Sequence, residues 1–426
     1  MLRTLVSRPE REVDILARRA SRPRIEASPK SEKKKLAFVI AHLGPGGAQR
    51  VAVNAANALV ERGCDVHVIT VLSQLDAYQL DARVTRHCPI TGTGNFAFIQ
   101  MAAWANRVSP SKGPVGRVAT RVALSISSRI ALLPYADFIA RIRWLRRSLR
   151  STEADAILSF LTQTNILVIL ATRGLRKRVV ISERNDPLLQ RHHPRVELLR
   201  RIVYRWADVV TANSKGALTA LEPFVPKHKL AFLPNPLMAA STSEAKAFGA
   251  PTVITIGRLV EQKGLDILLA AWAKVVEVLP DWRLAIVGGG PLEGELQALA
   301  AKLNIENSVD WIGHVSDPFP LLRGAEFFVL TSRFEGTPNA MLEAMVCGLP
   351  AIVSDASPGP CELIGPDESA GLIVPVEDVC ATAEAIIRLA RDEALRLRLG
   401  LAARERARAH EADQAIEVWL RLLRCE

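Results

Sequence analysis

The sequence predicts an α/β protein of two consecutive doubly wound, Rossmann-like domains facing each other across a cleft. Three observations predict it. Short apolar runs alternate with helical patterns across residues 35–235, and the alternation starts afresh across 251–400. Between the two series, Pro234-Asn235-Pro236 opens a linker at 236–250 that continues in Ser, Ala and Gly. The charge changes sign at the same place: residues 1–240 carry 38 basic and 17 acidic side chains, net +21, and residues 241–426 carry 17 and 27, net −10. A basic half of that strength is expected to meet an anionic partner.

Residues 1–34, rich in Arg, Lys, Glu, Ser and Pro, read as a disordered basic tail. The run KLAFVIAHL at 35–43 is the first strand, GPGGAQR a glycine turn, and Val51–Glu61 a helix. Strands follow at Asp65–Val71 and Arg83–Pro89. Residues 96–150 then break the alternation, with ten basic residues, one acid and interleaved apolar side chains such as Phe96, Trp104, Phe138 and Trp144. They read as a basic amphipathic insertion suited to an anionic lipid surface, or else as a helical insertion packed on its own domain. Strands resume at Ala154–Leu161, Arg178–Ser182 and Asp208–Asn213, with a long helix at Val196–Trp206. In the second series, strands are expected at Pro251–Gly257, Arg283–Val287, Val309–Ile312, Phe327–Leu330 and Ala351–Ser354, and a helix at Leu265–Val278. The last stretch, 401–426, is helical and placed to pack back on the N-terminal domain.

Several classes are excluded. No apolar run approaches the roughly 20 residues of a spanning helix, and the N-terminus has no apolar signal core. Six cysteines without C-x-x-C spacing argue against a zinc ribbon and a disulfide framework, and fit a reducing, cytoplasmic compartment. No nucleic-acid module and no Walker A sequence is present.

The sharpest chemical feature is SRFEGTPNAMLEAMVCGLPAIVSDA at 332–356. A strand ends at Leu330, a loop presents Glu335 and Gly336, Pro338 starts a short helix, and Gly348 followed by Pro350 ends it. The helix start leaves amides near Asn339 and Ala340 unpaired, a cradle for a diphosphate. A carboxylate beside phosphates is costly unless it binds hydroxyls, which points Glu335 to a sugar and Glu343 to a ribose. Gly257-Arg258 and Lys263 place two cations ahead of another helix. Gly46 and Gly47 lie in a turn that lets backbone approach a ligand, with Arg50 just inside the following helix as an acceptor or phosphate contact. The glycines around Gly289 also follow a strand.

The pair Glu335/Glu343 within EGTPNAMLEAMVCGLPAIVSD strongly resembles the E-x7-E segment of the retaining glycosyltransferases of family 4, which have the two-domain GT-B fold. The resemblance covers most of residues 35–400 in order. It implies donor-phosphate roles for Arg258 and Lys263 and a sugar role for Glu335, the three residues expected to carry catalysis. It also implies a nucleotide sugar at Gly46, Gly47, Gly257, Gly289, Val315, Gly336, Thr337, Asn339, Ala340 and Glu343. Many members carry a His near the sugar where this chain has Glu183, Arg184 and Asn185; Asn185 is expected to supply hydrogen bonds there and Glu183 to orient it. SDASPGPCEL at 354–363 is similar to a subgroup that moves sugars, often N-acetylated hexosamines, to lipid-linked or polysaccharide acceptors. The expected enzyme transfers a hexosyl or N-acetylhexosaminyl group from a nucleoside diphosphate sugar, a UDP-sugar, to such an acceptor for cell-envelope glycan synthesis. With no D-x-D segment, it needs no metal and no cofactor, and it works at the inner face of the cell membrane. An inactive nucleotide-sugar-binding protein and a sugar epimerase are the alternatives.

Overall fold

The computed structural model describes residues 33–44, 46–72, 76–89, 133–190, 192–237 and 243–424. The tail at 1–32 and residues 96–132 of the basic stretch lie outside the described residues.

The N-terminal sheet has seven strands: β1 (Lys35–Ile40), β2 (Asp65–Thr70), β3 (Thr85–His87), β4 (Ala156–Phe160), β5 (Arg178–Glu183), β6 (Val209–Ala212) and β7 (Leu230–Phe232). All pairs are parallel, in the order β3-β2-β1-β4-β5-β6-β7. Leu36 to Ile40 and Ala156 to Phe160 are buried without interruption, the pattern of strands covered on both faces. One face packs on helix α1 (Gly47–Glu61). The other packs on α2 (Leu133–Ser151), α3 (Thr162–Thr172), α4 (Pro194–Val203) and α5 (Lys215–Leu221).

The second sheet has six parallel strands in the order β10-β9-β8-β11-β12-β13. They are β8 (Thr252–Ile256), β9 (Arg283–Val287), β10 (Val309–Gly313), β11 (Phe327–Leu330), β12 (Ala351–Ser354) and β13 (Gly371–Val374). Its helices are α6 (Leu265–Val278), α7 (Glu293–Lys302), α8 (Phe319–Gly324), α9 (Asn339–Val346), α10 (Pro358–Ile364), α11 (Val379–Arg391) and α12 (Glu393–Ala407). The strand order reverses beside β1 in one sheet and beside β8 in the other. Such reversal points open a crevice beyond the carboxyl ends of the strands, where ligands of open α/β sheets bind.

The structure corrects four expectations. Strand β7 lies at 230–232, where no strand is expected from the sequence, because three residues suffice to pair with β6. Strand β13 escaped notice for the same reason of brevity. Helix α12 runs unbroken through residue 400; Ala403 and Ala407 belong to the second domain's core. Residues 133–151 do not interrupt the alternation, because α2 is the crossover from β3 to β4. Its Leu145 and Leu149 are buried, and Arg146 donates to the carbonyls of Ala171 and Arg173 at 2.7 Å each, satisfying the end of α3.

The chain crosses between the domains twice, at 233–237 and at 408–411. The crossings are joined by a parallel bridge between Leu237 and Glu411 and by the Leu237 amide on the His410 carbonyl at 3.0 Å. The final helix, α13 (Ala412–Leu423), then inserts Ile416, Trp419 and Leu423 into the N-terminal core beside Phe38 and Phe160.

Candidate active site

The second-domain wall is built at the reversal point. After β8, the backbone turns at Gly257 and Arg258. A Cβ on Gly257 would lie 3.1 Å from Lys263 Cε, so the missing side chain lets the lysine stem pass. Gly264 has φ +59°, and a Cβ there would lie 2.1 Å from the Thr331 carbonyl oxygen; only glycine fits this junction between the β8 loop and the β11 loop. Lys263 Nζ reaches Glu335 Oε1 at 2.5 Å, and Ser332 Oγ donates to the same oxygen at 2.8 Å. The Glu335 amide donates to Ser357 Oγ at 2.9 Å, fixing the loop. Arg258 is exposed and has no carboxylate partner among the described residues. Helix α9 starts at Asn339, and its first-turn amides have no intrahelical acceptor. One turn on, Glu343 is 6% exposed; its Oε1 pairs with Arg50, and its buried Oε2 has no hydrogen-bond partner. A buried, half-satisfied carboxylate is costly unless a donor arrives.

The first-domain wall faces it. β1 leads to His42, whose Nδ1 accepts the Gly44 amide at 3.1 Å. Burial lowers the His42 pKa, and the positive charge of Arg258 lowers it further. The Gly46 amide donates to the Tyr78 hydroxyl at 3.2 Å, and the Gly47 carbonyl accepts from Asn339 Nδ2 at 3.2 Å. Helix α1 begins at Gly47, four residues earlier than its apolar pattern predicts. That places Arg50 in its first turn, across the cleft from Glu343. Arg50 thus pairs with the Glu343 carboxylate of the second domain.

A third group of contacts ties the walls together. Asn235 Nδ2 donates to the Thr337 carbonyl at 2.9 Å and to Asn339 Oδ1 at 2.6 Å. Arg184 Nη1 donates to Asn235 Oδ1 at 2.7 Å and to the Leu233 carbonyl at 3.2 Å. Its guanidinium lies over the rings of Phe160 and Trp419, 5.5 and 5.4 Å from their centroids. The Glu362 carboxylate of α10 accepts the amides of Lys215 and Gly216 at 2.9 and 2.7 Å, capping α5 of the other domain.

Several expected site residues take other roles. Glu183 is 1% exposed and bonded to the Tyr204 hydroxyl and to Thr162 Oγ1, so it neither orients Asn185 nor reaches a sugar; burial raises its pKa. Arg184 turns inward to the hinge. Asn185 alone of the three keeps a half-buried side chain. The Thr337 hydroxyl donates to the Asn213 carbonyl, and a Cβ on Gly336 would lie 2.4 Å from the Arg184 carbonyl oxygen; both residues join the domains. Gly289 faces open space, its carbonyl accepting the Leu259 amide at 3.0 Å, while Val315 rests on the second core and Ala340 is half-buried in α9. Residues not anticipated are His42, Asn213, Asn235, Ser332 and Ser357. The run Pro234-Asn235-Pro236, with its fixed backbone, was the one available signal for Asn235.

Known proteins match this architecture. A family profile described as Glycosyltransferase Family 4 matches residues 45–238, and one described as Glycosyl transferases group 1 matches residues 240–406. A Campylobacter jejuni protein named GalNAc-alpha-(1->4)-GalNAc-alpha-(1->3)-diNAcBac-PP-undecaprenol alpha-1,4-N-acetyl-D-galactosaminyltransferase is 27% identical over 391 residues, covering 91% of this chain and 98% of its own length. A GDP-mannose-dependent alpha-(1-6)-phosphatidylinositol monomannoside mannosyltransferase of Mycolicibacterium smegmatis is 30% identical over 256 residues, 55% of this chain and 66% of the relative. Among solved structures, Anabaena HepE in complex with UDP and glucose superposes with a TM-score of 0.69 at 17% identity, over 92% of this chain and 100% of HepE. That likeness fixes the fold.

Proposed function

Because the chain belongs to the family 4-like glycosyltransferases of GT-B fold, we propose that it moves a hexosyl or N-acetylhexosaminyl group from a UDP-sugar to a hydroxyl of a lipid-linked or polysaccharide acceptor in cell-envelope glycan synthesis, with retention at the anomeric carbon. The observation that carries this reading is the convergence of Arg258, Lys263, Glu335 and the first turn of α9 at one reversal point. The diphosphate lies against the α9 amides, with Arg258 and Lys263 supplying positive charge as the glycosidic bond breaks. Glu335 takes sugar hydroxyls in exchange for part of its bond with Lys263. Glu343 takes the ribose hydroxyls on its unpartnered Oε2. The acceptor hydroxyl enters from the His42 side, attacks the face the diphosphate leaves, and passes its proton to the departing phosphate. Two cations and helix amides supply the countercharge, so transfer proceeds without a divalent ion.

The names of the two curated relatives support the acceptor class, since one cites an undecaprenyl diphosphate glycan and the other a phosphatidylinositol glycan. We place the chain on the inner face of the membrane, where such acceptors are presented, with the basic N-terminal half turned toward anionic lipid. The test is a thermal-shift screen of UDP-, GDP- and ADP-sugars with and without EDTA. A ligand of the native state raises apparent stability. The expected result is stabilisation by a UDP-sugar, unchanged by EDTA, with slow release of UDP. Stabilisation by GDP-mannose alone overturns the choice of base, and no stabilisation by any donor overturns the reading.

A further inference from the structure

We propose that the outer face of α4 and the turn before it form a docking surface for an anionic lipid bilayer. The proposal deepens the reading above and rests on its lipid-linked acceptor. Helix α4 turns Val196, Leu199 and Val203 to the core, yet it also buries Arg200, 2% exposed, and leaves Leu198 62% exposed. Leu198, Ile202 and Trp206 recur every four residues, along one side of the helix and the short turn that extends it. The preceding turn adds Leu188, 70% exposed, and Leu189. That turn is held in place. The amides of Leu188 and Leu189 donate to Asp186 Oδ1 at 2.8 and 3.3 Å, and Arg200 Nη2 donates to the Pro187 carbonyl at 3.0 Å, strapping the turn to α4. Of the eleven large apolar side chains exposed among the described residues, five fall within these nineteen positions.

The surroundings are cationic. Among the described residues of 188–206, Arg195, Arg201 and Arg205 are exposed, and the stretch has one acid. The acid, Glu197, is already paired with Arg200 and Arg201 at 2.8 and 3.1 Å. Arg205 is exposed, and Arg173 lies over the Trp206 ring at 4.7 Å. An apolar centre with an arginine rim and an interfacial tryptophan matches a membrane–water boundary. It fits a second copy of the chain poorly, because a two-fold contact would set one cationic rim against the other. Position also favours lipid. The turn continues from β5, whose end carries the Arg184 carbonyl against Gly336 at the cleft. β1 and β5 are parallel in one sheet, so this turn lies at the same carboxyl edge as His42, and a glycan hydroxyl reaches the His42 side while its lipid stays in the bilayer. Helix α2 packs on the same core as α4 and leaves Arg143, Arg147 and Arg150 exposed, so it adds charge on this side.

The test is sedimentation of the full chain with phosphatidylcholine vesicles, with and without phosphatidylglycerol, for wild type and for Leu188→Asp/Leu198→Asp. Wild type should pellet with anionic vesicles, less so at high salt. The double variant should partition about tenfold or more weakly, yet melt at the wild-type temperature and hydrolyse donor at the wild-type rate. Equal pelleting of variant and wild type, no pelleting of wild type, or a wild-type dimer that the variant abolishes would each overturn the proposal. Vesicle binding without donor hydrolysis by wild type would instead refute the enzymatic reading and leave the surface standing.

Discussion

The two walls of the cleft solve different problems. The second-domain wall holds its groups by contacts within one domain: Lys263, Ser332 and Ser357 all fix Glu335 from neighbouring loops. The first-domain wall holds little by itself. Arg50 pairs across the cleft with Glu343, Gly47 bonds Asn339, and the Arg184 guanidinium reaches the second wall through Asn235. One wall is preorganised for charge, and the other reports whether the domains have met. The difference teaches that catalytic loss and loss of domain coupling should separate by residue.

The strongest way to break this comparison is Glu335→Ala. Transfer is expected to fall by about a thousandfold or more, with cooperative unfolding retained in a thermal melt; full turnover would remove the catalytic wall from the account. Next comes Trp419→Ala, which empties a site shared by Phe38, Phe160 and Arg184 and frees the Pro234 carbonyl. A loss of about 3 kcal/mol or more in denaturant unfolding is expected, and an unchanged midpoint would mean that α13 is not part of the N-terminal core. Arg50→Gln sharpens the distinction between the walls. It should cost about 1–2 kcal/mol of apparent stability, and the donor-induced rise in melting temperature should match that of wild type, because Arg50 holds Oε1 of Glu343 and the ribose takes Oε2. A smaller donor-induced rise would assign Arg50 to the ligand itself.

The smallest effect concerns the hinge. His410 is buried, its Nδ1 has no partner, and burial lowers its pKa from 6.5 to about 4. Between those values the unfolded chain binds a proton that the folded chain refuses, so stability falls as pH drops from 6.5 toward 4 and is level above 6.5 with respect to this group. His410→Phe should flatten the melting temperature over that window; an undiminished slope would assign the acid sensitivity elsewhere.

Legibility in the sequence followed the same division. Arg258, Lys263, Glu335 and Glu343 could be named as candidates because each pair sits in one strand–loop–helix segment that resembles the family's. The first wall is assembled from positions 42, 50, 184, 213 and 235, and no local pattern joins them. Glu183 and Arg184 looked like cleft residues at a strand end. Their true partners, Tyr204, Thr162 and Trp419, are distant in sequence, so burial could not be inferred. Helix α2 illustrates an ambiguity of periodicity: an apolar stripe with arginines opposite suits a bilayer and a protein core equally, and here Leu145 and Leu149 face the core. The exposed Leu198 and Ile202 of α4 were hidden for a related reason: the helix has apolar residues on more than one side, and periodicity does not say which of them face inward.

The double crossing at 233–237 and 408–411 sets an order of assembly. Ile416, Trp419 and Leu423 complete a core whose other members begin at Leu36. The domain synthesised first is thus finished last, and its apolar face stays uncovered until the second domain has been made. During synthesis the nascent first domain must be shielded for the length of its successor. A ribosome stalled before residue 412 would hold a complete second core beside an open first one.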